Sequence, residues 1–186
     1  MRTVTLGNRR IEVLYEAGEI AARVRALADE IAGANLERLL VVPVLKGSFV
    51  FAADLLRALH DAGLSLEVEF LSVSSYREGT VSSGQVTILR DVESDVRGRS
   101  VLLIDDILES GRTLAFAKDL MAARGAAAVR TCVLLEKPGK RETQIDADFV
   151  GFICPDLFVV GYGMDMAHAF RELPFVGVVS KIDETA

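Results

Sequence analysis

Asp105 and Asp106 stand side by side after a short apolar run, Val101-Leu102-Leu103-Ile104, and lead into Ile107-Leu108-Glu109-Ser110-Gly111-Arg112-Thr113. A buried strand that delivers two carboxylates to a glycine-bearing turn, with a helix to follow, is suited to holding a phosphate. The first amides of a helix lack internal partners and carry the positive end of its dipole. Gly111 lets an anion come close to the backbone, and Ser110 and Thr113 offer hydroxyl donors. No lysine occupies the place that a GxxxxGK[ST] loop requires, and GxGxxG is absent too. Two acids beside such a cradle would repel a phosphate unless they held something else, either vicinal sugar hydroxyls or Mg²⁺. A sugar phosphate meets both demands. The plainer alternative, in which the two acids end a strand and Ser110 caps a helix, is disfavoured by the whole string from Asp105 to Thr113.

Other residues are ambiguous when taken singly. Lys46-Gly47 follows the apolar run Leu39–Leu45, where a lysine alone reads as a strand-end side chain reaching for water. Phe158 alone reads as a core residue, and Asp165 alone as the N-cap of a short helix ending near Leu173. Lys140 and Arg141 read as solvated, and His168 as an exposed helix residue. The stretch from Ser74 to Gln85, which contains Ser75 and Tyr76, is polar and rich in Ser and Gly. A loop of that length within a compact domain is usually functional or disordered.

The elements that must position these residues alternate along the chain. Glu16 to Ile31 has apolar residues at helical spacing, and Leu39 to Leu45 suits a strand buried on both faces. A helix is expected from Ser48 to Ala62, strands at Leu66–Val73, Val86–Leu89 and Val101–Ile104, and a helix at Arg112–Arg124. Strands at Val129–Leu135, Phe149–Phe152, Phe158–Val160 and Val176–Val179 complete the set. This is an α/β pattern with a mostly parallel central sheet flanked by helices, whose ligands bind beyond the carboxyl ends of the strands.

The chain has 186 residues, 51% of them apolar, enough for one compact domain with a small lobe. Cys132 and Cys154 have no metal-ligand spacing and read as reduced core thiols, which fits a reducing cytoplasm. Met1 to Asn8 shows no apolar signal region, and the apolar runs are too short to span a bilayer. The net charge of −6 argues against a nucleic-acid scaffold.

The segment from Val101 to Thr113 resembles the signature of the type I phosphoribosyltransferases, which bind 5-phosphoribosyl 1-diphosphate (PRPP). Val44-Leu45-Lys46-Gly47, Ser75-Tyr76, Leu134–Pro138 and Pro155–Asp165 narrow the resemblance to the hypoxanthine-guanine phosphoribosyltransferases. That resemblance implies one domain over residues 1–186, with a small hood from the N- and C-terminal segments. It also implies a mobile active-site loop over about residues 74–85, beginning at Ser75 and Tyr76, that closes over the reacting centre.

Residue by residue, it implies that Asp105 and Asp106 hold the ribose hydroxyls and that Ser110, Gly111, Arg112 and Thr113 bind the 5′-phosphate. Glu109 would be the carboxylate facing N7 of the purine. Lys46 and Gly47 would bind the diphosphate, after a peptide bond held in cis, together with Arg171. Lys137 would donate to O6 of the base, Phe158 would stack on it, and the Val159 backbone would meet its edge. Asp165, near the purine, would help Asp105 and Asp106 hold Mg²⁺.

The chain departs from the family at two places in particular: Glu109 replaces the usual Asp, and Met166 a common Tyr. The implied partners are PRPP and a 6-oxopurine, in a homodimer or homotetramer, with no membrane and no nucleic acid. Two competitors are a xanthine or uracil phosphoribosyltransferase and a PRPP-sensing, nucleic-acid-binding regulator. Against the regulator stand the acidic balance and the retention of Asp105, Asp106, Glu109 and Lys137.

Overall fold

The computed structural model describes residues 2–75 and 86–181. In chain order the elements are β1 (Thr3–Leu6), β2 (Arg9–Tyr15), α1 (Ala17–Gly33), β3 (Leu40–Leu45), α2 (Phe49–Asp61), β4 (Glu67–Val68) and β5 (Leu71–Ser75). They continue with β6 (Val86–Arg90), β7 (Ser100–Leu108), α3 (Arg112–Ala123), β8 (Ala128–Glu136), β9 (Phe149–Ile153), β10 (Val159–Val160) and β11 (Val176–Lys181). Seven strands form the main sheet in the order β6-β5-β3-β7-β8-β9, with β4 also on β3. All of its pairings are parallel except β5 with β6.

Successive side chains of a strand point to opposite faces, so the apolar runs of β3, β7 and β8 supply two cores at once. Val41, Leu102, Ile104, Cys132 and Leu134 face α1 and α2, where they meet Ile20, Val24, Leu27, Phe51 and Leu55. Leu40, Val42, Val44, Val101, Leu103 and Val133 face α3 and pack on Leu114, Ala117 and Met121. The start of α1 is fixed by a capping box in which the Glu16 amide donates to Glu19 Oε2 (2.8 Å).

Leu66–Val73 is not one strand but two short ones, and Pro43 explains the break. The carbonyls of Leu39 and Val41 accept from the amides of Glu67 and Glu69. Pro43, next on that edge of β3, has no N–H to offer, and the chain pairs again only at Leu71 with Val44. No helix forms over residues 165–173, where turns carry Ala167, His168 and Phe170 at positive φ.

A second, antiparallel sheet, β1-β2-β11-β10, joins residues from both ends of the described chain. Its core is Ile11, Val13, Val160, Leu173 and Phe175. The sequence carries little sign of β1 or β2. In β2 only Ile11 and Val13 are buried, between exposed Arg10, Glu12 and partly exposed Leu14, so the apolar signal is brief. Both cysteines are buried and free. Among the described residues no helix is long and apolar enough to cross a membrane.

Candidate active site

Three neighbouring parallel strands, β3, β7 and β8, end side by side, and each hands its next residues to one cleft. Past β3 come Lys46 and Gly47, past β7 Glu109 to Gly111, and past β8 Lys137. One cavity of about 260 Å³ is lined by Lys46, Gly47, Asp105, Asp106, Gly111 and Thr113 among others. A second of about 500 Å³ is lined by Lys137, Lys140, Asp156, Phe158, Val159 and Asp165 among others. The two share Asp106, Ile107, Glu109 and Ser110 as a common wall.

The two acids stand inside β7 rather than past its end. The strand continues to Leu108 because β8 remains paired with it, Asp105 opposite Val133 and Leu108 opposite Glu136. The carboxylates therefore hold fixed positions on a central strand. Asp105 is buried, and its Oδ1 accepts from the Asp106 amide (3.0 Å). Burial first, and the adjacent Asp106 charge second, push the Asp105 carboxyl well above the usual carboxylate range. The Asp106 carboxylate lies against Gly47, where any side chain would overlap it.

Gly47 also shows why the β3 turn has this sequence. The Leu45–Lys46 peptide is cis, as the resemblance implies. Ser48 is fully buried, and its hydroxyl donates to the Val44 carbonyl across the turn (2.6 Å), which ties the Lys46–Gly47 backbone down. On the far side a Cβ at Gly163 would strike the Gly47 carbonyl, so two glycines allow two loops to touch.

Gly111 adopts the left-handed conformation (φ 83°) as the residue before α3. A side chain there would be strained and would also meet Ile145 and the Thr143 carbonyl. That close approach arises because the amides of Glu142 and Thr143 both donate to the Ser110 carbonyl (2.9 and 3.0 Å). The turn is thus braced from behind, with the Arg112 amide donating to Ser110 Oγ (3.4 Å), and Gly111, Thr113 and Leu114 line the smaller cavity. Arg112 turns away from that cradle and pairs with Glu142.

In the larger cavity Lys137 is buried and its Nζ donates to the Leu157 carbonyl (2.7 Å), fixing the chain just before Phe158. Phe158 is 59% exposed, which removes the core reading and leaves a bare aromatic face, whereas Val159 is buried in β10. Glu109 Oε1 lies 3.9 Å from Lys137 Nζ and 3.7 Å from Lys140 Nζ. Lys140 is also bonded to Asp156 (2.7 Å), an interaction that raises its ammonium pKa.

Asp165 lies on the rim of this cavity. Its carboxylate pairs with Arg171 (2.7 Å) and accepts from the His168 amide (2.7 Å), an arrangement of turn and ion pair rather than a helix cap. Arg171 also donates to the Gly163 carbonyl (2.7 Å) and lines a neighbouring apolar groove rather than either cavity. His168 is exposed. Ser75 ends β5, and Tyr76 lies outside the described residues.

Arg141, expected from the sequence to be solvated, donates to the Glu109 carbonyl (2.7 Å) and pairs with Glu136 (2.6 Å). Only folding brings it under the Glu109 backbone, so no local spacing could reveal this. Ser48 likewise reads in the sequence only as a helix start.

Comparison with known proteins agrees with this geometry. A family model described as phosphoribosyl transferase domain matches residues 11–167. The chain is similar to the hypoxanthine phosphoribosyltransferase of Escherichia coli (strain K12), 39% identical over 177 residues, covering 94% of this chain and 98% of that protein. It is 45% identical over 169 residues to the bifunctional protein TilS/HprT of Listeria innocua, covering 90% of this chain but only 26% of that protein's length. A solved structure of Trypanosoma cruzi hypoxanthine phosphoribosyl transferase superposes with a TM-score of 0.85 at 38% identity, covering 91% of each chain. The chain belongs to the phosphoribosyltransferase family, on the hypoxanthine-guanine phosphoribosyltransferase branch.

Proposed function

We propose that this enzyme transfers the 5-phosphoribosyl group of PRPP to N9 of hypoxanthine or guanine, releasing diphosphate, in purine salvage. The observation that carries the reading is the wall shared by the two cavities. Asp106, Glu109 and Ser110 border a phosphate cradle on one side and a slot with a lysine and an exposed ring on the other. A phosphoribosyl group on the cradle side and a flat base in the slot would meet along that wall.

The first amides of α3, with Ser110 and Thr113, receive the 5′-phosphate. Asp105 and Asp106 accept hydrogen bonds from the ribose hydroxyls, and Phe158 covers the base. As the anomeric C–O bond breaks, its electron pair leaves with diphosphate, and the N9 lone pair forms the new C–N bond. Lys46 and the Gly47 backbone receive the departing negative charge, and Arg171 steadies the rim through Asp165. The proton on N7 passes to the Glu109 carboxylate.

Mg²⁺ fits this donor set as a substrate-borne ion. Among the described residues no group of three acid, histidine or cysteine side chains could form a full cage. Mg²⁺ is commonly bound by one or two carboxylates plus phosphate oxygens and water. Asp165, Asp105 and Asp106 border the two cavities and would supply those carboxylates. When bound, the ion would neutralise charge on the diphosphate.

Lys137 supports a 6-oxopurine, because an ammonium donor facing a 6-amino group would leave two donors opposed. In this reading residues 1–186 form one domain and the second sheet is the hood; residues 76–85 of the expected active-site loop lie outside the described residues. The buried, reduced cysteines suit a cytoplasmic setting. A homodimer or homotetramer is the proposed assembly.

The test is diphosphate release from PRPP and Mg²⁺ with hypoxanthine, guanine, xanthine, adenine or uracil supplied singly. Turnover with hypoxanthine or guanine is expected. Turnover confined to xanthine or uracil would move the enzyme to that competitor, and nucleic-acid binding without turnover would favour the regulator.

A further inference from the structure

Glu109 has one methylene more than the aspartate that the resemblance implies at its position, and so one more torsion to fix before its carboxylate can meet a base. Two ammonium groups lie near one oxygen of that carboxylate, Oε1 being 3.9 Å from Lys137 Nζ and 3.7 Å from Lys140 Nζ. The two lysines differ in what else they do. Lys137 is buried and committed to the Leu157 carbonyl, while Lys140 is half-exposed and bridges Glu109 to Asp156, both of which also line the larger cavity.

Lys140 is not a loosely drifting surface lysine, because its turn is fastened to the Glu109 turn. Arg141, the next residue, donates to the Glu109 carbonyl (2.7 Å), and the amides of Glu142 and Thr143 donate to the Ser110 carbonyl. Three backbone acceptor contacts thus fix the distance between the two turns, and Gly139 (φ 96°) directs the chain into Lys140. Exposed ion pairs add little to stability, so the value of this one must lie in orientation. Asp156 anchors Lys140 from one side, and Lys140 in turn limits the swing of Glu109 from the other.

We infer that Lys140 is a positioning residue for the Glu109 carboxylate, the counterpart in this chain to the longer side chain at 109. The inference rests on the proposed transfer to a purine. It makes Lys140 a partner required by Glu109 and not by a shorter acid.

The test is a double-mutant cycle of Lys140→Ala and Glu109→Asp, reading kcat and both KM values for PRPP and hypoxanthine. Lys140→Ala alone is expected to lower kcat roughly 5- to 50-fold, the scale of a misplaced catalytic group, with KM for PRPP unchanged within about twofold. Lys140→Arg is expected to recover most of the loss. In the Glu109→Asp background, Lys140→Ala is expected to cost less than about twofold, because the shorter side chain has less freedom to restrain. An equal loss in both backgrounds, or no loss in either, overturns the role of Lys140 while leaving the transfer reaction intact. Absence of diphosphate release by the unmutated enzyme with every base tested defeats the transfer reading itself, and the role falls with it.

Discussion

Glu109 and Asp105 are four residues apart on one strand and its exit, yet their surroundings fit them for opposite work. Glu109 is partly exposed and within 4 Å of two ammonium groups, at 3.9 and 3.7 Å. Glu109→Gln keeps the shape and removes the proton acceptor, so kcat should fall by roughly 10²- to 10⁴-fold with the fold intact. An unchanged kcat would remove Glu109 from the role of base. Asp105 is buried beside Asp106 and resists ionisation. Its folded-state pKa lies above the value of 3.8 expected for an exposed aspartate. Below that value the group is protonated whether the chain is folded or not, and no stability is lost. As pH rises through it, the unfolded chain ionises first and the folded state is progressively disfavoured up to the raised pKa, above which the penalty stays at its full size. Asp105→Asn should therefore raise Tm at pH 7 to 8 and leave it nearly unchanged near pH 3.5. Equal gains at both pH values would assign the effect to packing. The same variant should bind PRPP less tightly, since an amide NH2 takes the place of one carboxyl oxygen that could accept from the sugar hydroxyls.

At the scale of elements, the site depends on turns that only glycine can complete, and two of them should fail differently. At Gly47 the atom that an added Cβ would meet belongs to the Asp106 side chain, which can swing aside. Gly47→Ala should keep Tm within a few degrees and weaken PRPP binding at least tenfold, measured by calorimetry with Mg²⁺ present. At Gly111 the φ of 83° and the Thr143 carbonyl cannot give so easily. Gly111→Ala should cost about 1–3 kcal/mol of stability, visible as a lower denaturant midpoint. Similar midpoints for the two variants would show that the Gly111 turn relaxes.

Those turns were legible in the sequence because turn chemistry is local: a glycine, a hydroxyl residue and an apolar strand stand next to one another. The apolar runs likewise announced β3, β7, β8 and their helices, with ends correct to a few residues. The break between β4 and β5 was not legible, because it comes from a proline on a different strand. The continuation of β7 through Asp105 and Asp106 was hidden for a similar reason. Two carboxylates resemble a strand end until the pairing with β8 is known. Arg141 lay beyond reach for the same cause, its partner at Glu109 being 32 positions earlier in the chain.

At the scale of the whole molecule, the cleft lies where three strand ends of the main sheet come together, with β10 of the second sheet carrying Val159 into it. A ligand that touches both sheets should stabilise the folded chain as a unit, since it binds the native state and not the unfolded one. At a free concentration of about 100 times Kd, one site contributes about 2.7 kcal/mol. For a domain of this size each kcal/mol raises Tm by roughly 2–4 °C, so saturation with PRPP and Mg²⁺ should raise it by roughly 5–10 °C. Among the described residues too few carboxylates converge for a resident ion, so Mg²⁺ alone should shift Tm by much less than the combination. Scanning calorimetry with PRPP, with Mg²⁺, with both, and with both plus chelator separates these cases. A full shift with PRPP in the presence of chelator would mean that Lys46 and the α3 amides suffice to hold the donor. A large shift with Mg²⁺ alone would mean that Asp105, Asp106 and Asp165 draw together into a site that the empty protein does not display.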